Sequence, residues 1–343
     1  MNLRRKLTAI ALIVICVFTV TVPLVSVATA TDTEEETASP PETTELPETT
    51  EAEETDTVTT EPDVTEPERT AAELRVYIAK EDKTVTMPLE EYIVCVVAAE
   101  MPYTFHTEAL KAQAVAARSY CLNKLGSGSH KDGADVCTDY SHCQSYVSEE
   151  ELISRYGKTT TNSIMTKIRN AVKETAGQII TWEGKAALAV FHSSSYKKTE
   201  SSENVWGGKV PYLTSVSTPE SDRVSTVTLT DSDIASLFAS DSAVKVNSGG
   251  KKGIYITETD SGRAEYICLS GVAVNAKLLR QKYGFRSLDF EFEEIEGGWR
   301  FTVHGYGHGV GMSQYGANEM AKSGKTYDEI LLHYYTGVSI ETI

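Results

Sequence analysis

The sequence predicts an α+β fold, with short strands and helices mixed in one large globular domain that offers a substrate groove. Amphipathic helical segments at 88–100 and 107–125 come early, whereas paired strand segments follow later in the chain. Strands and helices do not alternate strictly, as the repeated units of a parallel α/β sheet would require. With 343 residues, 41% of them hydrophobic, the chain can form a sizeable core.

Helices are predicted where apolar residues recur every three or four positions. The first runs from Pro88, a favourable first helical residue, to Glu100, and Pro102 ends it. The second covers Thr107–Leu125, with small and apolar residues on one stripe. Two short helices are expected at the C-terminal end, and a capping box at Thr326–Glu329 opens the last one.

Strands are predicted where β-branched or alternating runs end at glycine-containing turns. The first strand is expected at 72–80, the stretch 126–163 is polar and irregular, and a helix is expected over 272–283. Three hairpins are expected, about Glu183-Gly184, Ser261-Gly262 and Gly297-Gly298. Their strands are Gln178–Thr181 with Ala186–His192, Ile254–Glu258 with Glu265–Leu269, and Phe290–Ile295 with Trp299–His304.

Residues 1–30 form a short basic segment followed by an apolar run. The apolar run from Leu7 to Ala30 is long enough to span a bilayer, which takes about 20 residues. The basic end is expected to stay in the cytoplasm, so the rest of the chain is exported. We therefore expect an extracytoplasmic protein anchored to the cell membrane. Cleavage after Ala30, a small-x-small site, would instead give a secreted protein.

Residues 31–70 are predicted to be a disordered tether before the globular domain at 71–343. This segment holds 15 acidic residues, 13 threonines and 5 prolines against a single arginine, so it has nothing with which to form a core. At roughly 3 Å per residue it could reach on the order of 100 Å. Much of the net charge of −17 therefore belongs to the tether. Because no basic patch is apparent, nucleic acid is not an expected partner.

Glu100 is an acid in an unusual place. It lies on the apolar face of the first helix, at the C-terminal end. Burial and the negative end of the helix dipole both disfavour the carboxylate and raise its pKa. A raised pKa suits a general acid that must hold its proton near neutrality. The alternative is a helix-end residue that reaches solvent or pairs with Lys111 or Arg118.

Two histidine-containing segments are further candidates. Glycines alternate over His304–Gly311, which would let a ligand approach one face of a strand closely, with His304 and His308 on the other face. A tight crossing of two backbone segments is the alternative. His192 leads from a strand into the polar loop Ser193–Tyr196, a usual place for site residues, although a simple hydrogen-bonded histidine is equally consistent.

Four residues in the irregular segment form a candidate metal site. Zinc prefers sulfur and nitrogen ligands of this kind. A disulfide between Cys137 and Cys143 is the rival in an exported domain. The candidate ligands are His130, Cys137, His142 and Cys143.

Three blocks together resemble the stage II sporulation protein D family, also called the SpoIID/LytB domain, over about 72–343. The first runs from Glu91 through Glu100-Met101-Pro102 and on to Glu108–Tyr120. The second contains Phe191–Ser195, Thr199-Glu200 and Val205-Trp206, and the third contains Gly307–Ala317 and His333–Tyr335. The second block departs from the family, which often continues into glycines where this chain has Tyr196-Lys197-Lys198.

The resemblance implies a peptidoglycan lytic transglycosylase of sporulation. Such enzymes cut between N-acetylmuramic acid and N-acetylglucosamine in glycan strands already stripped by a partner amidase, and they leave 1,6-anhydro ends. The resemblance assigns the catalytic acid to Glu100 and favours zinc at the Cys/His loop, in a structural role. The groove is expected to be lined by Arg118, Ser119, His192, Ser194, His308, Gln314 and Tyr315.

Other functions remain open at this point. Some relatives are described as amidase enhancers, so a non-catalytic partner-binding module is one alternative, and a glycan-binding module of the cell wall is another. A zinc hydrolase is less favoured because no general-base glutamate accompanies the His/Cys loop. A paralogue that acts on vegetative walls would also fit the long acidic tether.

Overall fold

The computed structural model describes residues 73–128, 130–240 and 242–343. The expected anchor at 1–30 and tether at 31–70 lie outside these residues. Within them, no helix has the length and apolar character needed to cross a membrane.

The α+β prediction is confirmed. In the described part of the chain, the helices are α1 (Leu89–Glu100), α2 (Thr107–Lys124), α3 (Glu149–Tyr156), α4 (Lys158–Glu174), α5 (Ser202–Trp206), α6 (Asp231–Phe238), α7 (Lys277–Tyr283), α8 (Gln314–Lys322) and α9 (Tyr327–Tyr334). The strands are β1 (Glu73–Ile78), β2 (Lys83–Pro88), β3 (Val136–Cys137), β4 (Gln178–Trp182), β5 (Lys185–Ala186), β6 (Phe191–His192), β7 (Val224–Thr230), β8 (Val244–Lys245), β9 (Ile254–Glu258), β10 (Ala264–Leu269), β11 (Val272–Asn275), β12 (Asp289–Ile295), β13 (Gly298–His304), β14 (Met312–Ser313) and β15 (Ser339–Thr342).

Helix α2 is the centre of the larger hydrophobic core. Its small residues, among them Ala109, Ala112 and Ala116, are fully buried, so neighbouring elements can approach closely. Helices α1, α4, α8 and α9 and strand β4 all pack against it. Three small sheets, ordered β2-β1-β3, β15-β4-β5 and β14-β6, complete this part of the fold.

A second, smaller core lies between residues 229 and 303. It contains mainly aliphatic and aromatic residues, with Phe285, Phe290 and Phe301 in mutual edge-to-face contact. Two antiparallel sheets, ordered β8-β11-β10-β9 and β12-β13-β7, surround it. The hairpins predicted about Ser261-Gly262 and Gly297-Gly298 are the β9–β10 and β12–β13 pairs.

Several predicted elements differ from the structure. The stretch 126–163, expected to be irregular, contains α3 and the start of α4. A capping box of Ser148 and Glu151 opens α3, and α4 is held by a buried stripe at Ile164, Ile168 and Val172. The helix expected over 272–283 begins only at Lys277, because the preceding β-branched residues pair with β10.

Two strand predictions also need correction. Strand β2, which was not expected from the sequence, pairs with β1 along its whole length. The strand expected over Ala186–His192 is interrupted. Its first residue pairs with β4, whereas Phe191 and His192 leave that sheet and run parallel to β14. This break carries His192 towards the chain segment that contains Gln314.

Candidate active site and metal-binding cluster

Glu100 is the last residue of α1 and only 2% of it is exposed. Its Oε1 accepts a hydrogen bond of 2.6 Å from the backbone N–H of Ser145, and its Oε2 accepts one of 3.1 Å from Nε2 of Gln314. Three distant parts of the chain therefore meet at one carboxyl group. Lys167 of α4 fixes the loop that follows Glu100, because it donates to the carbonyl oxygens of Tyr103 and Phe105 at 2.7 Å each.

The surroundings of Glu100 raise its pKa. Burial is the largest cause, and the hydrogen bonds from Ser145 and Gln314 oppose it. The alternative partners considered from the sequence are engaged elsewhere. Lys111 pairs with Glu108 and Glu174, and Arg118 pairs with Glu90. A buried carboxyl group with a raised pKa can hold a proton near neutrality and give it up to a bound substrate.

Gln113 of α2 completes the Glu100 site, which we define as Glu100, Gln113, Ser145 and Gln314. It is fully buried, and its Oε1 lies 3.5 Å from Nε2 of Gln314. Its Nε2 has no hydrogen-bond partner among the described residues. Sequence reasoning missed both Gln113 and Ser145. A glutamine within a run of alanines on a buried helix was the signal that could have identified the first.

Gln314 and Tyr315, both predicted from the sequence, lie at the start of α8. Ser313 caps that helix by accepting from the backbone N–H of Gly316. The Tyr315 ring packs edge-on against Phe105, with ring centroids 4.9 Å apart. The guanidinium of Arg223 lies 3.6 Å over the centroid of the Tyr315 ring. The loop after Glu100 thus packs directly against the start of α8.

Arg118 and Ser119 lie where α2 meets β4. The guanidinium of Arg118 makes a two-pronged ion pair with Glu90, at 2.8 and 2.7 Å, and donates to the carbonyl oxygen of Gln178 at 2.9 Å. The Ser119 hydroxyl donates to Val115 O and accepts from the Ile180 N–H. The structure does not bring either residue to Glu100.

His192, Ser194 and His308 lie in a neighbouring buried region. The ring nitrogens of His192 lie 3.2 Å from Val310 O and 2.5 Å from the Ser195 hydroxyl. Burial lowers the pKa of His192 well below its usual range and that of His308 to about 3, so both rings are neutral. Ser194 pairs through its backbone with Tyr306.

The glycine alternation in His304–Gly311 is explained by close backbone approach. A Cβ at Gly305 would lie 2.6 Å from the carbonyl oxygen of Ser194, and one at Gly311 would lie 2.0 Å from that of Val190. A Cβ at Gly309 would meet the Arg263 guanidinium at 2.7 Å. This geometry agrees with the tight-crossing alternative. Its effect is to bring the loop that contains His308 against the loop that follows β6.

Glu220 is another buried carboxyl group, and it was not expected as a site residue from the sequence. It accepts hydrogen bonds from the backbone N–H of Ser195 and, at 2.5 Å, from the Ser313 hydroxyl. Burial raises its pKa to about 7, against these hydrogen bonds and the nearby charge of Arg263. Protein donors thus occupy both of its oxygen atoms.

The His/Cys cluster comprises the four predicted ligands His130, Cys137, His142 and Cys143. Their ligand atoms all lie within 4.8 Å of one another. Nε2 of His130 lies 3.0 Å from Nδ1 of His142 and 3.1 Å from Sγ of Cys143. Both cysteines are free, so the alternative disulfide is not formed. Tetrahedral zinc sites separate their ligand atoms by about 3.3 to 3.8 Å, so these residues fit a four-coordinate metal.

The cluster is linked directly to the Glu100 site. Ser145, whose N–H donates to Glu100, follows Cys143 by two residues. On the other side, the cluster is held by a contact of 3.2 Å between Nδ1 of His130 and Ala134 O. A metal bound there would therefore fix the loop that presents Ser145 to the catalytic candidate.

Comparison with known proteins agrees with these features. The sequence model of a family described as "Stage II sporulation protein" matches residues 77–182, which include Glu100 and all four residues of the His/Cys cluster. Stage II sporulation protein D of Bacillus subtilis is 37% identical over 267 residues, covering 77% of this chain and 78% of the relative. The protein of the same name from Bacillus amyloliquefaciens is 36% identical and covers 77% of each chain.

A more distant relative is the amidase enhancer of Bacillus subtilis. It is 27% identical over 295 residues, which cover 70% of this chain and 39% of the relative. The two sporulation proteins are more similar to this chain than the amidase enhancer is. Their alignments with it cover about three quarters of this chain and of each relative. This chain belongs to the stage II sporulation protein D family.

Proposed function

We propose that this protein is a lytic transglycosylase that cleaves the glycan strands of peptidoglycan during the cell-wall remodelling of sporulation. The observation that carries the proposal is the Glu100 carboxyl group, buried at the end of α1 with a raised pKa and held by Ser145 and Gln314. A module that only binds a partner has no need of a protonated acid in such a position.

One carboxyl group is sufficient for this reaction. Protonated Glu100 donates its proton to the glycosidic oxygen, and the bond from that oxygen to C1 of N-acetylmuramic acid breaks. The C6 hydroxyl oxygen of the same sugar then bonds to C1, and its proton passes to the Glu100 carboxylate. The products are a 1,6-anhydro end and a free N-acetylglucosamine hydroxyl, with Glu100 protonated again.

Among the described residues, the Glu100 site contains no second carboxyl group of the kind that a hydrolytic mechanism needs. Hydrolytic glycosidases use a second carboxylate as a nucleophile or to activate water. Glu220 is held by Ser195 and Ser313 and is not one of the four residues of the Glu100 site. This arrangement favours the intramolecular attack of the C6 hydroxyl.

Gln113 is the best candidate for a direct substrate contact. Buried amide groups are nearly always hydrogen-bonded in native proteins, whereas Nε2 of Gln113 has no partner among the described residues. Because Gln314 contacts its Oε1, the N–H bonds of Gln113 would meet a sugar oxygen only when a bound substrate displaces the groups that now bury them.

We further propose that the His/Cys cluster binds zinc in a structural role. His130, Cys137, His142 and Cys143 supply four nitrogen and sulfur ligands, which leaves no open position for a catalytic water. Bound zinc would tie together the loop that leads to Ser145. We place the globular domain outside the cytoplasm, on an N-terminal anchor at 1–30, with a wall amidase as the partner that strips the glycan.

The experiment incubates purified full-length protein with amidase-stripped glycan strands and identifies the products by mass spectrometry. Anhydro-muramyl ends support the proposal. Reducing muramyl ends would make the protein a hydrolase and would require a second catalytic carboxylate.

A non-catalytic amidase enhancer is the second candidate, favoured by the relative of that name. It predicts no cleavage of stripped strands, but faster release of stem peptides when this protein is added to a wall amidase on intact peptidoglycan. A glycan-binding module predicts binding to the strands without either effect.

A further inference from the structure

Glu220 lies in the loop between α5 and β7 and contacts two other segments, the loop after β6 and the residue before α8. Its Oε1 accepts from the backbone N–H of Ser195, in the loop after β6, and its Oε2 accepts from the hydroxyl of Ser313 at 2.5 Å. Only 8% of Glu220 is exposed. The proposed reaction gives this group no role of its own.

Ser313 is the residue immediately before Gln314. Its hydroxyl donates to Glu220 and accepts from the N–H of Gly316, so it caps α8 while it is held from outside the helix. Gln314 then donates to Glu100 at 3.1 Å. A chain of two hydrogen bonds and one peptide link thus runs from Glu220 to the Glu100 carboxyl group.

The packing around these hydrogen-bonded residues leaves little room for α8 to shift. A Cβ at Gly316 would lie 2.1 Å from the hydroxyl of Tyr334, 2.2 Å from that of Thr218 and 3.0 Å from Oε2 of Glu220. The first turn of α8 is therefore in direct contact with the loop that carries Glu220. Loss of the Glu220 side chain would remove the hydrogen-bond acceptor that holds Ser313 at the start of this turn.

Two ionisable groups face Glu220 from other elements. Arg263, before β10, is buried and donates to the Ser195 hydroxyl at 2.9 Å, and its charge favours the Glu220 carboxylate. Tyr334 of α9 is buried, and the Glu220 carboxylate helps to raise its pKa. Glu220 is thus surrounded by donors and a cation, which suits an acceptor that organises other groups.

We propose that Glu220 is a positioning residue: its carboxyl group holds Ser313, and through it Gln314, so that the Gln314 amide donates to Glu100. The inference rests on the proposed catalytic role of Glu100 for its effect on rate. Its effect on the hydrogen bonding of Glu100 is independent of any reaction.

The test compares Glu220→Ala and Ser313→Ala with the matched control Glu200→Ala in the full-length protein. Glu200 is also a buried glutamate with several partners, among them Thr259 and Ser261, and it has no link to Gln314 in the described structure. The pKa of Glu100 is measured by NMR of ¹³C-glutamate-labelled protein, with its signal assigned by its loss in Glu100→Gln.

Both Glu220→Ala and Ser313→Ala are expected to raise the pKa of Glu100, because the Gln314 hydrogen bond that lowers it is weakened. Glu200→Ala is expected to leave that pKa unchanged, even if it lowers the thermal stability as much. On stripped glycan, the kcat of Glu220→Ala and of Ser313→Ala is expected to fall about tenfold, with KM within about twofold of wild type. This loss corresponds to one lost hydrogen bond in the transition state.

Glu220→Gln provides the rescue. Its amide oxygen can accept from Ser195 and its amide N–H can donate to the Ser313 hydroxyl, so the Glu100 pKa and kcat are expected to return towards wild type. An unchanged Glu100 pKa in folded Glu220→Ala would overturn the proposal, as would a folded Glu220→Gln as defective as the alanine variant. If the wild type cleaves no glycan, the proposed function fails, and the NMR measurement still decides the positioning role.

Discussion

Arg118 offers a prediction whose magnitude can be worked out from the structure. The side chain is fully buried, and Arg118→Met removes the donors to Glu90, to Gln178 O and to Val172 O. Glu90 is 41% exposed, so water can replace its lost partner at modest cost. Val172 O keeps the hydrogen bonds that it accepts from the N–H and the hydroxyl of Thr175. Gln178 O loses its side-chain donor, and a carbonyl group left unsatisfied costs about 1 to 3 kcal/mol.

We therefore expect Arg118→Met to destabilise the protein by about 2 kcal/mol. For a folded part of this size, that change lowers the thermal midpoint by about 4 to 6 °C. Thermal unfolding followed by circular dichroism measures the midpoint, and binding to stripped glycan strands, per folded molecule, measures the site. Binding is expected to stay at the wild-type level.

Arg169→Met is the control for this prediction. Arg169 is 41% exposed and pairs with Glu91 and Glu149 at the surface, so its loss should cost less than about 1 kcal/mol. The reasoning is refuted if Arg118→Met unfolds at the wild-type temperature while glycan binding falls. That result would return Arg118 to the groove.

Three further predictions concern the metal, a glycine and Glu220. Removal of metal by a chelator, or Cys143→Ser, is expected to lower the thermal midpoint. The remaining activity is expected to be proportional to the folded fraction. Lost activity at unchanged thermal stability would instead indicate catalytic zinc. Gly311→Ala is expected to destabilise the protein by about 3 kcal/mol or more, because its Cβ would lie 2.0 Å from the carbonyl oxygen of Val190. The control Gly297→Ala has open space around its Cβ and should cost about 1 kcal/mol. Denaturant titrations measure both free energies of unfolding. Equal costs at the two glycines would contradict the close crossing. The pKa of Glu220 is raised from 4.5 to about 7, so its carboxylate form is less favourable in the folded protein than in the unfolded chain. As the pH rises from about 4.5 to about 7, the wild type should therefore lose roughly 3 kcal/mol of stability relative to Glu220→Gln. A stability difference between the two proteins that does not vary with pH would contradict the raised pKa.

Glu100 could be identified from the sequence because a single acid on an apolar helical stripe is costly to bury and stands out from its neighbours. The same local logic placed the His/Cys cluster, whose four residues lie within 14 positions of one another in the chain. It could not find Ser145, whose contribution is a backbone N–H rather than a side chain. It could not find Glu220 either, because its partners lie 25 and 93 positions away in the chain.

Helix geometry explains why Arg118 and Ser119, which were expected to line the groove, do not reach Glu100. Gln113 is the α2 residue that joins the Glu100 site. With about 100° of rotation per residue, Arg118 lies about 140° around the helix from Gln113, and Ser119 about 120° around in the other direction. Both instead make hydrogen bonds with residues of β4. A choice of face on a helix buried on all sides needs its tertiary neighbours, which periodicity alone does not supply.

The fold was predictable where local signals agreed with packing. The capping box at Thr326 and the turn at Gly297-Gly298 mark elements found in the structure. The start of α4 was not predictable, because Lys158–Ser163 is rich in threonine and polar residues. That helix depends on the burial of Ile164, Ile168 and Val172, which is a tertiary effect.

The most direct test of the central claim is the release of anhydro-muramyl products by three forms of the full-length protein on amidase-stripped glycan. These are the wild type, Glu100→Gln, and the control Glu91→Gln, an exposed residue of the same helix that pairs with Arg169. We expect products from the wild type and Glu91→Gln and none from Glu100→Gln, with equal thermal stability or better for the latter. A folded Glu100→Gln that releases anhydro-muramyl ends at the wild-type rate would contradict the account.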